Sequence, residues 1–161
     1  GLKSDENRLR IGKRMGADYT LYSEDEPEKA VMDITAGKGA EFVLECSASQ
    51  EGVQHAVDCA RKAHEGPGGK GVIVFISLWG NKITVNLDEV SLGQLDIRGS
   101  WSWNGRETWE RALDLLDRGV LDLEPMITNH YELEQWEMAF ANLRSKQDVK
   151  ALIHPHGRGW A

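Results

Sequence analysis

The sequence predicts an α/β protein built on a parallel sheet. Two apolar runs of strand length, AEFVLECSAS and VIVFISL, are too continuous for strands with one face in water. Segments with helical periodicity lie before and between them, and this alternation is typical of parallel strands joined by helical crossovers. With 161 residues, 40% of them hydrophobic, the chain is long enough to bury a core.

Capping residues and apolar spacing predict three helices in the first 65 residues. Ser4 or Asp5 can cap the first helix, which Gly16 ends, and Pro27 suits the first turn of the second. Ser49 precedes the third helix, whose apolar residues recur at the i, i+3, i+4 and i+7 positions of one face. The residues expected to face inward on the second and third helices are Ala30, Val31, Ile34, Val53, Ala56, Val57 and Ala60.

The predicted strands differ in their patterns. A short strand is expected at 19–22, and the two apolar runs provide strands buried on both faces. KITVNL alternates instead, with Ile83, Val85 and Leu87 on one side, which indicates an exposed face or a pairing edge. The remaining elements are expected to be a strand in LDIRGSWSW, helices over 107–118 and 133–144, a turn at His130 and a final strand in VKALIHP.

Composition excludes several classes of function. A formal charge of −7 argues against nucleic acids and anionic membranes as partners, because both require a basic face. No apolar run approaches the roughly 18 residues of a membrane span, and no signal peptide is visible. Two cysteines, Cys46 and Cys59, are too few for a disulfide scaffold, which favours the cytoplasm. The five histidines lack partners at ligand spacing, so neither a metal ligand nor a catalytic residue is assigned.

Five segments in order, RLRIGKRMGAD, ITAGKGAEFVLECSAS, VIVFISLWG, LDIRGSW and VKALI, resemble the medium-chain dehydrogenase/reductase family of the zinc-dependent alcohol and polyol type. Two features depart from that family: Gly12 stands where alanine is usual, and the loop AHEGPGGKG is long. The resemblance implies a doubly wound, Rossmann-like sheet. Residues 1–103 would form part of the dinucleotide-binding domain, and residues 104–161 would be helices and a strand returning to a catalytic domain.

In that family, two strands, a glycine-rich turn and a zinc-binding catalytic domain precede the segment RLRIGKRMGAD. The only glycine cluster here, 66–71, precedes a strand instead of opening a helix, so it is interpreted as a turn and not as a phosphate site. The chain is therefore expected to lack the first strands and the glycine-rich turn. It is expected to be inactive alone, with zinc and the selection of an alcohol or polyol substrate residing in the missing domain.

The resemblance also implies a set of cofactor-binding residues at the ends of strands. Those after the first apolar run would approach the adenosine, and those after the second run and after LDIRG would bind the nicotinamide carboxamide through the backbone. A basic residue near the C-terminus would contact the pyrophosphate, and another would lie near the ribose. In chain order these residues are Lys3, Ser47, Ala48, Ile76, Ser77, Leu78, Ser100, Trp101, Ser102 and Lys150.

The choice between NAD and NADP depends on the segment GLKSDEN. An acid at this position holds the ribose 2′-hydroxyl of NAD, whereas a basic residue accommodates the 2′-phosphate of NADP. Lys3 and Ser4 favour NADP. Asp5 can serve NAD or act as a helix cap. The balance leans weakly to NADP.

The resemblance further implies a homodimer in which Lys82–Leu87 pairs antiparallel with its copy across a two-fold axis. An alternative function is a dimerising, non-catalytic module made of the same strands. The composition is compatible with both hypotheses, and the upstream sequence would discriminate between them.

Overall fold

The computed structural model describes residues 1–63, 69–102 and 105–157, which form two compact units. One unit combines Gly1–Glu24 with the described residues from 105 onward, and the other contains the described residues from Asp25 onward to 102. The elements in chain order are α1 (Glu6–Arg14), α2 (Pro27–Ile34), β1 (Phe42–Glu45), α3 (Gln50–Cys59), β2 (Val72–Phe75), α4 (Leu87–Leu92), β3 (Asp96–Gly99), α5 (Arg106–Asp117), β4 (Ile127–Glu132), α6 (Trp136–Arg144) and β5 (Lys150–His154).

A three-stranded parallel sheet forms the second unit, in the order β1–β2–β3. The central strand β2 pairs Ile73 with Val43 of β1 and with Ile97 of β3. Ile73 is completely buried, and it belongs to a core with Val57 and Leu95. The α/β class with a parallel sheet is thus confirmed.

Helix α3 covers one face of this sheet because its sequence places four small apolar residues on one side. Val53, Ala56, Val57 and Ala60 are all buried, as their spacing predicts. The Ser49 hydroxyl accepts a hydrogen bond from the Gly52 N–H at 2.9 Å and thereby satisfies one of the free donors of the first helical turn.

The first unit is organised around the parallel pair β4–β5. Tyr131 is buried, and its hydroxyl donates to the buried carboxylate of Asp148 at 2.5 Å and accepts from the Asn142 amide at 2.8 Å. Asn142 lies on α6, so this network connects the helix to β4 and to the segment that leads into β5. Asp148 also accepts from the Asn129 side chain at 3.0 Å, which leaves both of its oxygens partnered.

Two segments predicted as strands are not strands within the described chain. At residues 19–22 no ladder forms: among the described residues, the backbone there is linked to Gly1 by two hydrogen bonds, from Gly1 N to Leu21 O and from Ser23 N to Gly1 O. Lys82–Leu87 is not a strand either. The Gln50 side chain occupies one side of its backbone, donating to Thr84 O at 2.6 Å and accepting from Thr84 N at 2.9 Å, and no strand of the described chain pairs with the other side.

Details of burial and turn structure also differ from expectation. Ile34 is 43% exposed, although its spacing suggested an inward position, and Leu87 is exposed at the start of α4. His130 lies in β4 instead of a turn. The sequence did not reveal α4 or β4, because a six-residue helix and a polar strand carry little periodic signal. None of the helices in the described ranges has the length and apolar character that crossing a bilayer requires.

Candidate cofactor site

Most of the predicted cofactor-binding residues lie at one edge of the three-stranded sheet. Parallel strands bring their carboxyl ends to the same edge, where open α/β sheets bind ligands. Ser47 and Ala48 follow β1, residues 76–78 follow β2, and residues 100–102 follow β3. The other two predicted residues, Lys3 and Lys150, belong to the first unit.

The ends of β1 and β2 are tied together by the hydroxyl of Ser77. This oxygen accepts from the Ala48 N–H at 3.1 Å and donates to the Glu45 carbonyl at 3.3 Å. The Ile76 N–H also donates to Glu45 O, at 3.1 Å, which extends the ladder by one bond. The two strand ends that the family resemblance assigns to the adenosine and to the carboxamide are thus directly connected.

Backbone geometry at this edge is strained and leaves hydrogen-bond donors available. Ala48 and Ser102 have φ values of 56° and 54°, in a region that non-glycine residues seldom occupy and that is enriched at functional sites. Among the described residues, the N–H groups of Leu78, Trp101 and Ser102 donate to no protein acceptor. N–H groups without a protein acceptor, on exposed residues at the ends of β2 and β3, suit the carboxamide oxygen of a nicotinamide, so these residues fit the cofactor that the resemblance implies.

Sequence reasoning missed Glu45, which lies at the end of β1 and is only 3% exposed. Its Oε1 accepts from the backbone N–H and the hydroxyl of Ser47. A charged residue at an inward position of an apolar strand is the signal that could have identified it. The Cys46 thiol beside it is exposed, and partial burial together with the Glu45 carboxylate raises its pKa; deeper burial raises the pKa of the Cys59 thiol to about 11.

In the first unit, the segment considered for cofactor preference is bound by a lysine distant in sequence. Lys146 Nζ donates to Ser4 Oγ at 2.7 Å and forms an ion pair with Asp5 Oδ1 at 3.0 Å. Arg8 contacts the same oxygen of Asp5 at 3.4 Å. The hydrogen bond from Lys146 is the main reason that the pKa of Asp5 lies below its ordinary value. Neither Ser4 nor Asp5 caps α1 with its side chain.

Lys150 is the first residue of β5, and its side chain is exposed. Its backbone is held by β4, because Ile127 is its partner in the register and the Thr128 hydroxyl donates to Lys150 O at 3.2 Å. The Lys3 side chain is exposed as well, and its N–H donates to the Glu24 carboxylate at 3.0 Å. Both lysines are thus exposed residues whose backbone is held by hydrogen bonds.

Other candidates from the sequence are less prominent. His130 and His154 stack with ring centroids 5.0 Å apart and share a hydrogen bond of 2.7 Å between Nδ1 and Nε2. No cluster in the described ranges combines three metal-binding side chains. Trp79 packs edge-on against Phe75, which indicates a role in the wall of the site. Trp103, His64 and the glycines at 66 and 68 lie outside the described residues.

Comparison with known proteins gives consistent matches. The model of the zinc-binding dehydrogenase family matches residues 1–118. The chain is 28% identical over 157 residues to sorbitol dehydrogenase of Halalkalibacterium halodurans, covering 96% of this chain and 43% of that protein. It is 32% identical over 156 residues to L-threonine 3-dehydrogenase of Bacillus subtilis, with the same two coverages.

A solved structure shows the same fold. Benzyl alcohol dehydrogenase of Acinetobacter calcoaceticus superposes with a TM-score of 0.79 at 22% identity, over 92% of this chain and 40% of that one. The chain therefore spans about two fifths of the length of the proteins it matches. Since the family model covers well over half of the chain, this protein belongs to the zinc-binding dehydrogenase family.

Proposed function

We propose that this chain forms the nicotinamide-binding edge of an NAD(P)-dependent dehydrogenase that acts on an alcohol or polyol. The observation that carries the proposal is the edge of the three-stranded sheet, where a strained turn lies at the ends of parallel strands beside N–H groups that have no acceptor among the described residues, those of Leu78, Trp101 and Ser102 included. Membership of the zinc-binding dehydrogenase family supports the same function.

The bound cofactor would supply the hydride chemistry. With the oxidised cofactor bound, the alcohol carbon would give a hydride to the nicotinamide ring and the hydroxyl proton would pass to solvent, which leaves a carbonyl compound and a reduced cofactor. In this chain, the N–H groups of Leu78, Trp101 and Ser102 would orient the carboxamide, Ser47 and Ala48 would approach the adenosine, and Lys150 would face the pyrophosphate. We propose that zinc is held by another part of the whole protein.

For the substrate, the relatives support a small polar alcohol. Their names refer to sorbitol and L-threonine, which both carry a secondary hydroxyl group. We propose that this protein likewise oxidises a secondary alcohol, in the cytoplasm.

For the cofactor, the charges around Ser4 and Asp5 support NADP. Asp5 is already paired with Lys146 and Arg8, so its carboxylate is a weaker acceptor for a ribose 2′-hydroxyl. Lys146 places an ammonium group beside the Ser4 hydroxyl, and this combination suits a 2′-phosphate.

A partner is proposed from the segment Lys82–Leu87. Because Gln50 binds the N–H and C=O of Thr84, the extended backbone directs the same groups of Ile83 and Val85 to the opposite side. Ile83 and Val85 are half-buried, and Val85 packs on the core, so the segment is held in place. We propose that a second copy pairs with this open side to form a symmetric dimer.

The cofactor proposal is tested by titrating the ¹⁵N-labelled chain with NADPH and following amide resonances. We expect a dissociation constant weaker than about 1 mM, because no glycine-rich phosphate turn was found in the sequence. The largest shifts should occur at residues 47–49, 76–78 and 100–102. Shifts confined to other residues, or none at 10 mM NADPH, would contradict the proposal.

The dimer is tested by light scattering at tens of micromolar. Val85→Pro removes an outward N–H donor and should give a monomer. Val85→Ala is the matched control, because it loses similar packing and keeps the donor, so it should remain dimeric. A monomeric mass for the unmodified chain, or a dimer that survives in the proline variant, would exclude this interface.

A further inference from the structure

The carboxylate of Glu45 is buried in a place where a solvated acid would be expected. It ends β1, directly before the turn Ser47–Ser49, and is only 3% exposed. Its Oε1 accepts two hydrogen bonds from Ser47, one from the backbone N–H at 2.7 Å and one from the hydroxyl at 2.5 Å. Its Oε2 is buried and has no partner in the described chain. Burial of an ionisable group with one oxygen unpaired is costly, so a compensating role is indicated.

Glu45 connects through Ser47 to the start of α3. The Ser47 hydroxyl lies 3.0 Å from the Ser49 hydroxyl and accepts from the Ser49 N–H at 3.3 Å. The Ser49 hydroxyl in turn caps the Gly52 N–H. One continuous set of hydrogen bonds therefore extends from the carboxylate to the first turn of the helix.

Gly52 gives this network its space. A Cβ atom at this position would lie 1.9 Å from Ser47 Oγ and 2.9 Å from Glu45 Oε1. A glycine inside a helix normally destabilises it by about 1 kcal/mol relative to alanine. Its presence here is explained by the close approach of the Ser47 hydroxyl.

The opposite side of the turn is fixed by Ser77. Its hydroxyl accepts from the Ala48 N–H and donates to the backbone carbonyl of Glu45. Ala48 is held between these contacts at a φ of 56°. Ser47 and Ala48 remain exposed, so the network fixes the residues that are available to a ligand without covering them.

We infer that Glu45 is a positioning residue that sets the Ser47–Ser49 turn for the adenosine part of the cofactor. The inference rests on the proposed function and adds a residue to it. Glu45 acts through Ser47 and not by contact, because its unpartnered oxygen is buried beneath the turn and a ligand on the exposed side does not reach it. Ser77 and Gly52 support the same geometry.

The experiment uses the full 161-residue chain and four variants, with ADP-ribose as the probe. The first readout is the amide resonances of residues 47–49 without ligand. Glu45→Ala removes the acceptor and should shift them strongly. Glu45→Gln keeps one acceptor oxygen and should leave them near their original positions. Gly52→Ala should shift them because it displaces the Ser47 hydroxyl.

The second readout is the ADP-ribose dissociation constant compared with thermal stability. Glu45→Ala and Gly52→Ala should weaken binding by about fivefold, the effect of losing one hydrogen bond in the site. Glu45→Gln should weaken it by less than about twofold. Val57→Ala is the control: it lies in the core on the same helix, so it should lower the melting temperature and leave the affinity unchanged.

These readouts separate the two proposals. If the unmodified chain binds no ADP-ribose, the proposed cofactor site is refuted, while the amide resonances of the free chain still decide the positioning role. Unchanged resonances at residues 47–49 in Glu45→Ala and Gly52→Ala would overturn that role. Equal affinity losses in Val57→Ala and Glu45→Ala would also overturn it, since they would trace the effect to general stability. Gly52→Ala keeps the test decisive if Glu45→Ala does not fold.

Discussion

Replacing Tyr131 by Phe should destabilise the first unit by about 2–3 kcal/mol. The Tyr131 hydroxyl is buried and connects the Asp148 carboxylate to the Asn142 amide, with distances of 2.5 Å and 2.8 Å. A hydrogen bond to a charged group contributes about 1.5–3 kcal/mol, and its loss leaves Asp148 with one unsatisfied oxygen. The hydrogen bond from Asn129 to the other Asp148 oxygen remains. We therefore expect the loss of stability to stay within this range.

The loss of stability is measured by urea denaturation, with amide hydrogen exchange in β5 as the readout for the first unit. This local readout is needed because a chain of two units does not necessarily unfold in a single two-state transition. Tyr19→Phe is the matched control. Tyr19 is 63% exposed and its hydroxyl makes no bond in the described chain, so its loss should change the free energy of unfolding by less than about 0.5 kcal/mol.

The pH dependence provides a sharper test. The hydrogen bond to Asp148 raises the pKa of Tyr131 above its ordinary value of 10.0. A raised pKa in the folded state means that the stabilisation is complete below pH 10 and is lost as the pH rises through the folded value. The stability difference between the native chain and Tyr131→Phe should therefore be constant below pH 10 and shrink above it. A difference under about 0.5 kcal/mol at pH 7, or one that grows in alkali, would refute this account.

Two further predictions concern reactivity and cofactor preference. In the native chain a thiol reagent at pH 8 should modify Cys46 and spare Cys59. Cys46 is exposed, whereas Cys59 is buried and its pKa is raised to about 11. Equal modification rates of the two thiols would contradict this prediction. Adenosine 2′,5′-bisphosphate should bind about tenfold more tightly than AMP, through the Lys146 ammonium beside Ser4. Lys146→Ala should reduce this ratio and the control Lys38→Ala, which belongs to the other unit, should not. A ratio near one in the unmodified chain would favour NAD.

The elements predicted best from the sequence are those whose apolar periodicity directly reflects burial. Helix α3 shows its apolar face and its Ser49 cap in the sequence, and both are confirmed. The strands β1 and β2 follow from two apolar runs, although each has only four residues in the structure. Lys82–Leu87 does not pair as a strand within the described chain, because alternation indicates a half-buried segment and does not indicate where its backbone partner lies. Gln50 fills that place with a side chain.

The parts of the site that depend on distant contacts could not be predicted from local patterns. Lys146 meets Ser4 across 142 positions of sequence, and Ser77 meets Ala48 across 29. Glu45 stands within an apolar run, where its charge looks like an interruption until the Ser47 hydroxyl is placed above it. Contacts of this kind form because distant segments converge in the folded chain. The residue periodicity of a single strand carries no information about them.

The sequence of β1 predicted a strand buried on both faces, but one face is exposed in the described chain. Val43 and Glu45 face the side covered by α3, whereas Phe42 and Leu44 on the opposite side are 59% and 55% exposed. A parallel strand that is apolar on both faces is typical of sheets covered on both faces, and a large exposed apolar patch marks a contact surface. The relatives are more than twice as long as the matched region, with 43% of their length covered. Residues 42 and 44 are therefore apolar and exposed together in the described chain, which is the pattern expected of a contact surface.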